Sequence, residues 1–179
     1  MMKKWRVFLA VFLVLFLAAC NNDEKLVSEP NQIEPAENQP AEVSEHTDIH
    51  HELLFQLEFL PHEIGTSMSV IQDENLYNTW AEIFQFETVP KINFTTEEVL
   101  FVTTYSNGCG LVFENVTMEG DTLLVKLNYP EDIRSREEIV CTEIAIPQTF
   151  VVKMEKTGAT KGTLMQANHI LLEGESILQ

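Results

Sequence analysis

Residues 99–127 read VLFVTTYSNGCGLVFENVTMEGDTLLVKL, and their periodicity decides the fold. Val99, Phe101, Thr103 and Tyr105 alternate with their neighbours at period two, the spacing of a β-strand. After Asn107-Gly108-Cys109-Gly110, Leu111, Phe113, Asn115 and Thr117 mark one face of a second strand. Val112, Val116 and Met118 mark its other face. Glu119-Gly120-Asp121 is a hairpin turn, and Leu123, Val125 and Leu127 follow as a third strand.

The flanking sequence extends the same pattern. Upstream, Leu53, Phe55, Leu57 and Phe59 fall on one side of a strand, and a short strand follows over Ser67–Ile71. Asp73 supplies an N-cap oxygen for a helix over Glu74–Phe86, whose stripe of Leu76, Tyr77, Trp80, Ile83 and Phe84 is expected to pack on a sheet. Downstream, the charged loop PEDIRSREE (130–138) precedes a β-like run over Ile139–Ile146 that carries Cys141. Pro147 interrupts it and marks an edge or a bend. Phe150–Met154 resumes a strand, and beyond Gly158 and Gly162 a last strand spans about Leu164 to Leu172. Short consecutive strands joined by turns predict a mainly β (α+β) fold. The expected form is an antiparallel β-sandwich or open barrel with one packed helix, in a single domain over 52–179.

The first residues carry a different message. Lys3, Lys4 and Arg6 precede the apolar run Val7–Leu17, which is too short to span a bilayer core of about 20 residues but suits the core of a signal peptide. Leu17-Ala18-Ala19-Cys20 resembles the lipobox of bacterial lipoproteins. That resemblance implies a signal peptide over 1–19, diacylglycerol on the Cys20 sulfur, and attachment at the extracytoplasmic face of the cell membrane. Without residues 1–19 the 11 cationic side chains fall to eight, because Lys3, Lys4 and Arg6 go, while all 28 acidic ones remain, a formal charge of −20. Such a surface is not expected to bind nucleic acid, and anionic lipid repels it, so the anchor must hold the membrane through its acyl chains.

Residues 20–51 read as an acidic tether. They lack aromatics, and their prolines recur at 30, 35 and 40. Such a segment cannot bury enough apolar surface to offset ordering, and as a flexible coil it would reach about 30 Å.

The helix ending in Trp80 and Phe84, the segment Pro90-Lys91-Ile92-Asn93-Phe94, the aliphatic strand after it and the glycine turn at 107–110 form a recognisable series. With the hairpin Val112–Val125 and the late run CTEIAIPQTFVVKM, it resembles the PrcB C-terminal-like family over about residues 75–155. That family is named for an accessory subunit of a secreted bacterial protease complex. The resemblance implies a β-rich, non-catalytic accessory or binding domain with a protein partner, such as a protease.

Two cysteines remain beyond Cys20. Outside the cytoplasm, Cys109 and Cys141 most simply form a disulfide, closing a loop of about 30 residues for roughly 3–4 kcal/mol in the chain-entropy model. The alternatives are a pair of inert thiols, or a redox or nucleophilic thiol at Cys109, although no His, Lys or Arg stands beside it in sequence to activate it. His46, His50 and His51, with Asp48 and Glu52, offer a weak zinc or copper site, set against a plain solvated linker. Adjacent carboxylates at Glu97-Glu98, Glu131-Asp132 and Glu137-Glu138 read as solvated turn residues. Arg134 and Arg136 are expected to pair with Glu131, Glu137 and Glu138. No nucleophile elbow or phosphate-binding glycine loop is present, so no catalytic residue, metal or cofactor is expected.

Overall fold

Residues 99–102 and 150–152 are apolar on both faces of their strands, and that dictates a layered structure. The computed structural model describes residues 46–174, all within one compact unit spanning Glu42–Gln179. The expected signal peptide, the Cys20 lipidation site and most of the tether lie outside the described residues.

Among the described residues nine strands and two helices follow one another as β1 (Thr47–Asp48), β2 (His51–Leu57), β3 (Ser67–Ile71), α1 (Glu74–Ile83), β4 (Glu97–Ser106), β5 (Val112–Glu119), β6 (Thr122–Asn128), α2 (Glu131–Arg134), β7 (Ile146–Glu155), β8 (Lys161–Gln166) and β9 (His169–Gly174). They build a five-stranded sheet of order β1-β5-β6-β8-β9 and a four-stranded sheet of order β2-β7-β4-β3. The architecture is a β-sandwich with one helix of ten residues packed on it, as the sequence predicts. All pairings are antiparallel except β6 with β8, which run parallel.

Between the sheets lies the larger core, with Leu100, Val102, Leu123, Val125, Phe150, Val152 and Leu164 fully buried. The second core sits on the opposite face of the four-stranded sheet, where Val99, Phe101 and Val151 meet Tyr77 and Phe84 of the helical layer. Consecutive residues of β4 therefore feed different cores, which is why its sequence is a continuous apolar run rather than an alternation of apolar and polar.

Helix α1 starts where expected, with the Leu76 amide donating to Asp73 Oδ1 at 2.9 Å. It ends three residues short of Phe86. Gln85 adopts a left-handed φ of 56°, its amide donates to the Glu82 carbonyl at 3.1 Å, and the Phe86 amide donates to the Ala81 carbonyl at 2.9 Å. These two bonds form a Schellman stop made without glycine. The expected stripe is also narrower: Tyr77, Ala81 and Phe84 are buried, whereas Leu76 and Ile83 are exposed.

The folded part begins earlier than the expected boundary at 51/52. Thr47 pairs with Met118, and the buried Ile49 donates its amide to the Val116 carbonyl at 3.2 Å. Pro147 lies inside β7, opposite Tyr105 of β4; β2 joins β7 only from Thr149, so its missing N–H falls where that edge is open. Residues 139–145 are irregular rather than a strand. The single late strand is in fact the hairpin β8–β9, turned by Ala167 and Asn168 with φ of 46° and 71°. Such a two-residue turn favours Asn and Gly because both positions need positive φ. Ala167→Gly should accordingly raise stability by about 0.5–1 kcal/mol, relief of left-handed strain exceeding the added freedom of the unfolded chain, as read from a denaturant midpoint.

Candidate binding surface

Strand β5 does not keep the single alternation expected of it. The register slips between Phe113 and Asn115, leaving Glu114 as an extra residue. Leu111 and Phe113 face the core before the bulge, and Val116 and Met118 face it after, so Asn115 and Thr117 turn outward. A bulge re-aims one side chain. Here that side chain is Glu114, which meets Lys126 Nζ at 3.2 Å, Arg134 Nη1 at 3.0 Å, and the Asn128 amide, which donates to both its oxygens at 3.3 and 3.2 Å. Partial burial pushes the Glu114 carboxyl up, but hydrogen bonds from Asn128 and Lys126 and the charges of Lys126 and Arg134 together outweigh it. The carboxyl is held below its ordinary range.

Beside this cluster the chain makes its glycine turn. Asn107 closes it twice, accepting from the Gly110 amide on its carbonyl at 3.0 Å and from the Cys109 amide on its side chain at 3.0 Å. Its side-chain amide reaches Tyr129 Oη at 3.1 Å. Gly110 has a φ of 73°, which only glycine adopts at no cost. Gly108 donates its amide to the Thr142 carbonyl at 3.0 Å, and a Cβ there would collide with the Thr142 side chain.

The turn thus receives the irregular segment 135–145, and a disulfide between Cys109 and Cys141, with Cα atoms 5.3 Å apart, fastens the two together. The segment has little else to hold it, and it exposes apolar side chains. Val140 is 86% exposed, Ile144 54% and Ile139 45%, and Tyr105 at the end of β4 is 44% exposed. Ile139 also walls a cavity of about 470 Å3 lined by Glu114, Lys126, Asn128, Tyr129 and Arg134.

No known family, curated protein or solved structure matches this chain.

The two cysteines singled out in the sequence are therefore brought together. The three histidines are not gathered in the same way. His46 Nδ1 lies 4.0 Å from Glu119, and His51 Nδ1 donates to the Ile49 carbonyl at 2.7 Å while its ring meets Phe113 edge-on at 5.4 Å. Among the described residues no group of three or more His, Cys, Asp and Glu side chains is placed to share a metal ion.

The arginines pair differently from expectation: Arg134 takes Glu114 from another strand, and Arg136 takes Asp132 at 3.4 Å. Glu98, expected to be solvated, is fully buried. It accepts from Gln72 Nε2 at 2.9 Å and from the Thr157 amide and hydroxyl at 3.1 and 2.7 Å. A second cleft, of about 270 Å3, surrounds Lys153. That lysine is answered by Glu52 at 2.6 Å and Glu97 at 3.9 Å, and the hydrogen bond to Glu52 foremost holds its ammonium above the ordinary lysine range against partial burial.

The Glu114 cluster was not read from sequence. Its one signal was the switch of apolar residues from Leu111 and Phe113 to Val116 and Met118, which marks a bulge.

Proposed function

We propose that the chain is an extracytoplasmic lipoprotein, anchored in the cell membrane by a lipid on Cys20, whose folded domain is a non-catalytic binding or accessory module. The observation that carries the binding part is the disulfide-fastened segment 135–145 with Val140 86% exposed. An apolar side chain held out on a cross-linked loop costs solvation in the free protein, and a partner surface recovers it. A cross-link also limits the loop's freedom beforehand, so less ordering entropy is lost on docking.

The basic and apolar N-terminal run ending in Cys20 supports the anchoring part, and a joined cysteine pair suits an oxidising compartment. Protease association is the sharper form of the reading and rests on the resemblance to the PrcB C-terminal-like family. The alternative, a thiol-redox protein using Cys109 and Cys141, requires this bridge to open and close by exchange with an outside thiol.

A photo-crosslinking residue placed at Val140 in whole cells tests the reading. One dominant crosslinked protein is expected, abolished when Cys109 and Cys141 are both serine and absent when the same probe replaces exposed Glu63. Equal labelling from both positions would sink it. In parallel, Cys20→Ala should move the protein from the membrane pellet to the soluble fraction.

A further inference from the structure

We propose that the cavity beside the disulfide is a carboxylate-binding pocket, taking a partner's carboxylate together with an adjoining apolar group. The inference rests on the disulfide end being the docking surface and names the chemistry recognised there.

The chain carries a formal charge of −17, so an anion approaching it meets repulsion almost everywhere. The other ion pairs among the described residues give each cation at least one carboxylate of its own: Lys153 has Glu52 and Glu97, Lys161 has Asp121, and Arg136 has Asp132. Among the described residues, two cations share a single carboxylate only at Glu114. Lys126 and Arg134 therefore carry one positive charge more than the carboxylate they share, on the lining of an open, shallow cleft of about 470 Å3.

Donors remain available there. Arg134 spends one Nη1 contact on Glu114, and a guanidinium has five N–H groups in a planar fork suited to a carboxylate. Lys126 spends one of its three ammonium protons. The bulge fixes Glu114, and Glu114 in turn holds both cations in place, so little ordering is needed when an anion arrives. A single residual charge suits a monoanion; a phosphate dianion would keep one of its own charges uncompensated beside Glu114. Ile139 and Tyr129 form the wall, and they offer apolar surface to whatever carries the carboxylate. A chain terminus ending in an apolar residue and an acidic side chain beside one both meet this description.

The full chain, 15N-labelled in neutral detergent, is titrated with three probes: N-acetyl-Ala-Leu with a free carboxyl terminus, the same dipeptide amidated, and N-acetyl-glutamate amide. Saturable shifts at the Glu114, Asn128 and Ile139 amides are expected in the millimolar range with the carboxylate probes and not with the amidated dipeptide. Response to the dipeptide acid alone identifies a chain terminus, and response to the glutamate amide alone identifies a side chain. Lys126→Gln and Arg134→Gln should each weaken binding about fivefold or more. Glu114→Gln should tighten it about threefold, because it frees both cations; a merely structural Glu114 would produce no gain. No saturable shift up to about 50 mM, an equal response to the amidated dipeptide, or weaker binding by Glu114→Gln would overturn the proposal. If these titrations fail while Val140 still crosslinks one partner, only the carboxylate pocket is lost.

Discussion

Replacing Cys109 and Cys141 together by serine is expected to lower the unfolding midpoint by about 10–15 °C. The bridge joins residues 32 apart, and closing a loop of that length removes about 3–4 kcal/mol of conformational freedom from the unfolded chain. For a domain of intermediate size each kcal/mol shifts the midpoint by about 3–5 °C. Both cysteines must be changed, since either alone leaves a thiol open to wrong pairing. Thermal unfolding of the double variant beside the reduced parent protein provides the check. The two should agree, and native amide exchange should rise first in residues 135–145, whose other attachments are few. A drop below about 4 °C would show that the loop is constrained by something other than the cross-link.

The second large effect is expected at Glu98. Glu98→Ala should cost about 3 kcal/mol in denaturant unfolding, because the Thr157 amide and hydroxyl lose their shared acceptor in a buried setting. Gln72 is exposed and can turn to water, so its bond contributes less. Glu98→Gln should cost only about 1 kcal/mol: one oxygen still accepts from Thr157, and the Gln72 amide can turn its own oxygen toward the new NH2 group. If Gln costs as much as Ala, the charge rather than the acceptor count is what holds the 156–160 connection, and the hydrogen-bond account fails.

Strands β3, β4 and β6 and the N-terminal cap of α1 were legible because each has a local cause: alternation, an apolar run, a turn residue, or an Asp before a helix. The features missed share a different origin. Leu76 and Ile83 have the right helical spacing, but a ten-residue helix lying on a sheet covers a narrower stripe than the spacing allows. Gln85 stops the helix in a conformation usually marked by glycine. Glu98 and its neighbour Glu97 look alike in sequence. Only the pleat decides that Glu98 points between the sheets while Glu97, 3.9 Å from Lys153, stays at the surface. The same holds for the candidate binding surface. The cysteine pair was readable from count and compartment, whereas the Glu114 cluster joins β5, β6 and α2 through a bulge whose partners lie up to 20 residues away.

The pairing of β2 with β7 sets an order on how the chain can become native. His51 lies opposite Met154, so the first long strand of the domain waits for a segment roughly a hundred residues further on, a separation that slows folding. β6 and β8 impose a similar delay, since β7 must leave for the other sheet before β8 can come alongside. Until then HELLFQL is an uncovered strand with a phenylalanine and three leucines, in a chain that folds beside its own copies. The acidic excess of the sequence acts in that interval, keeping neighbouring unfinished chains apart long enough for the distant half to arrive.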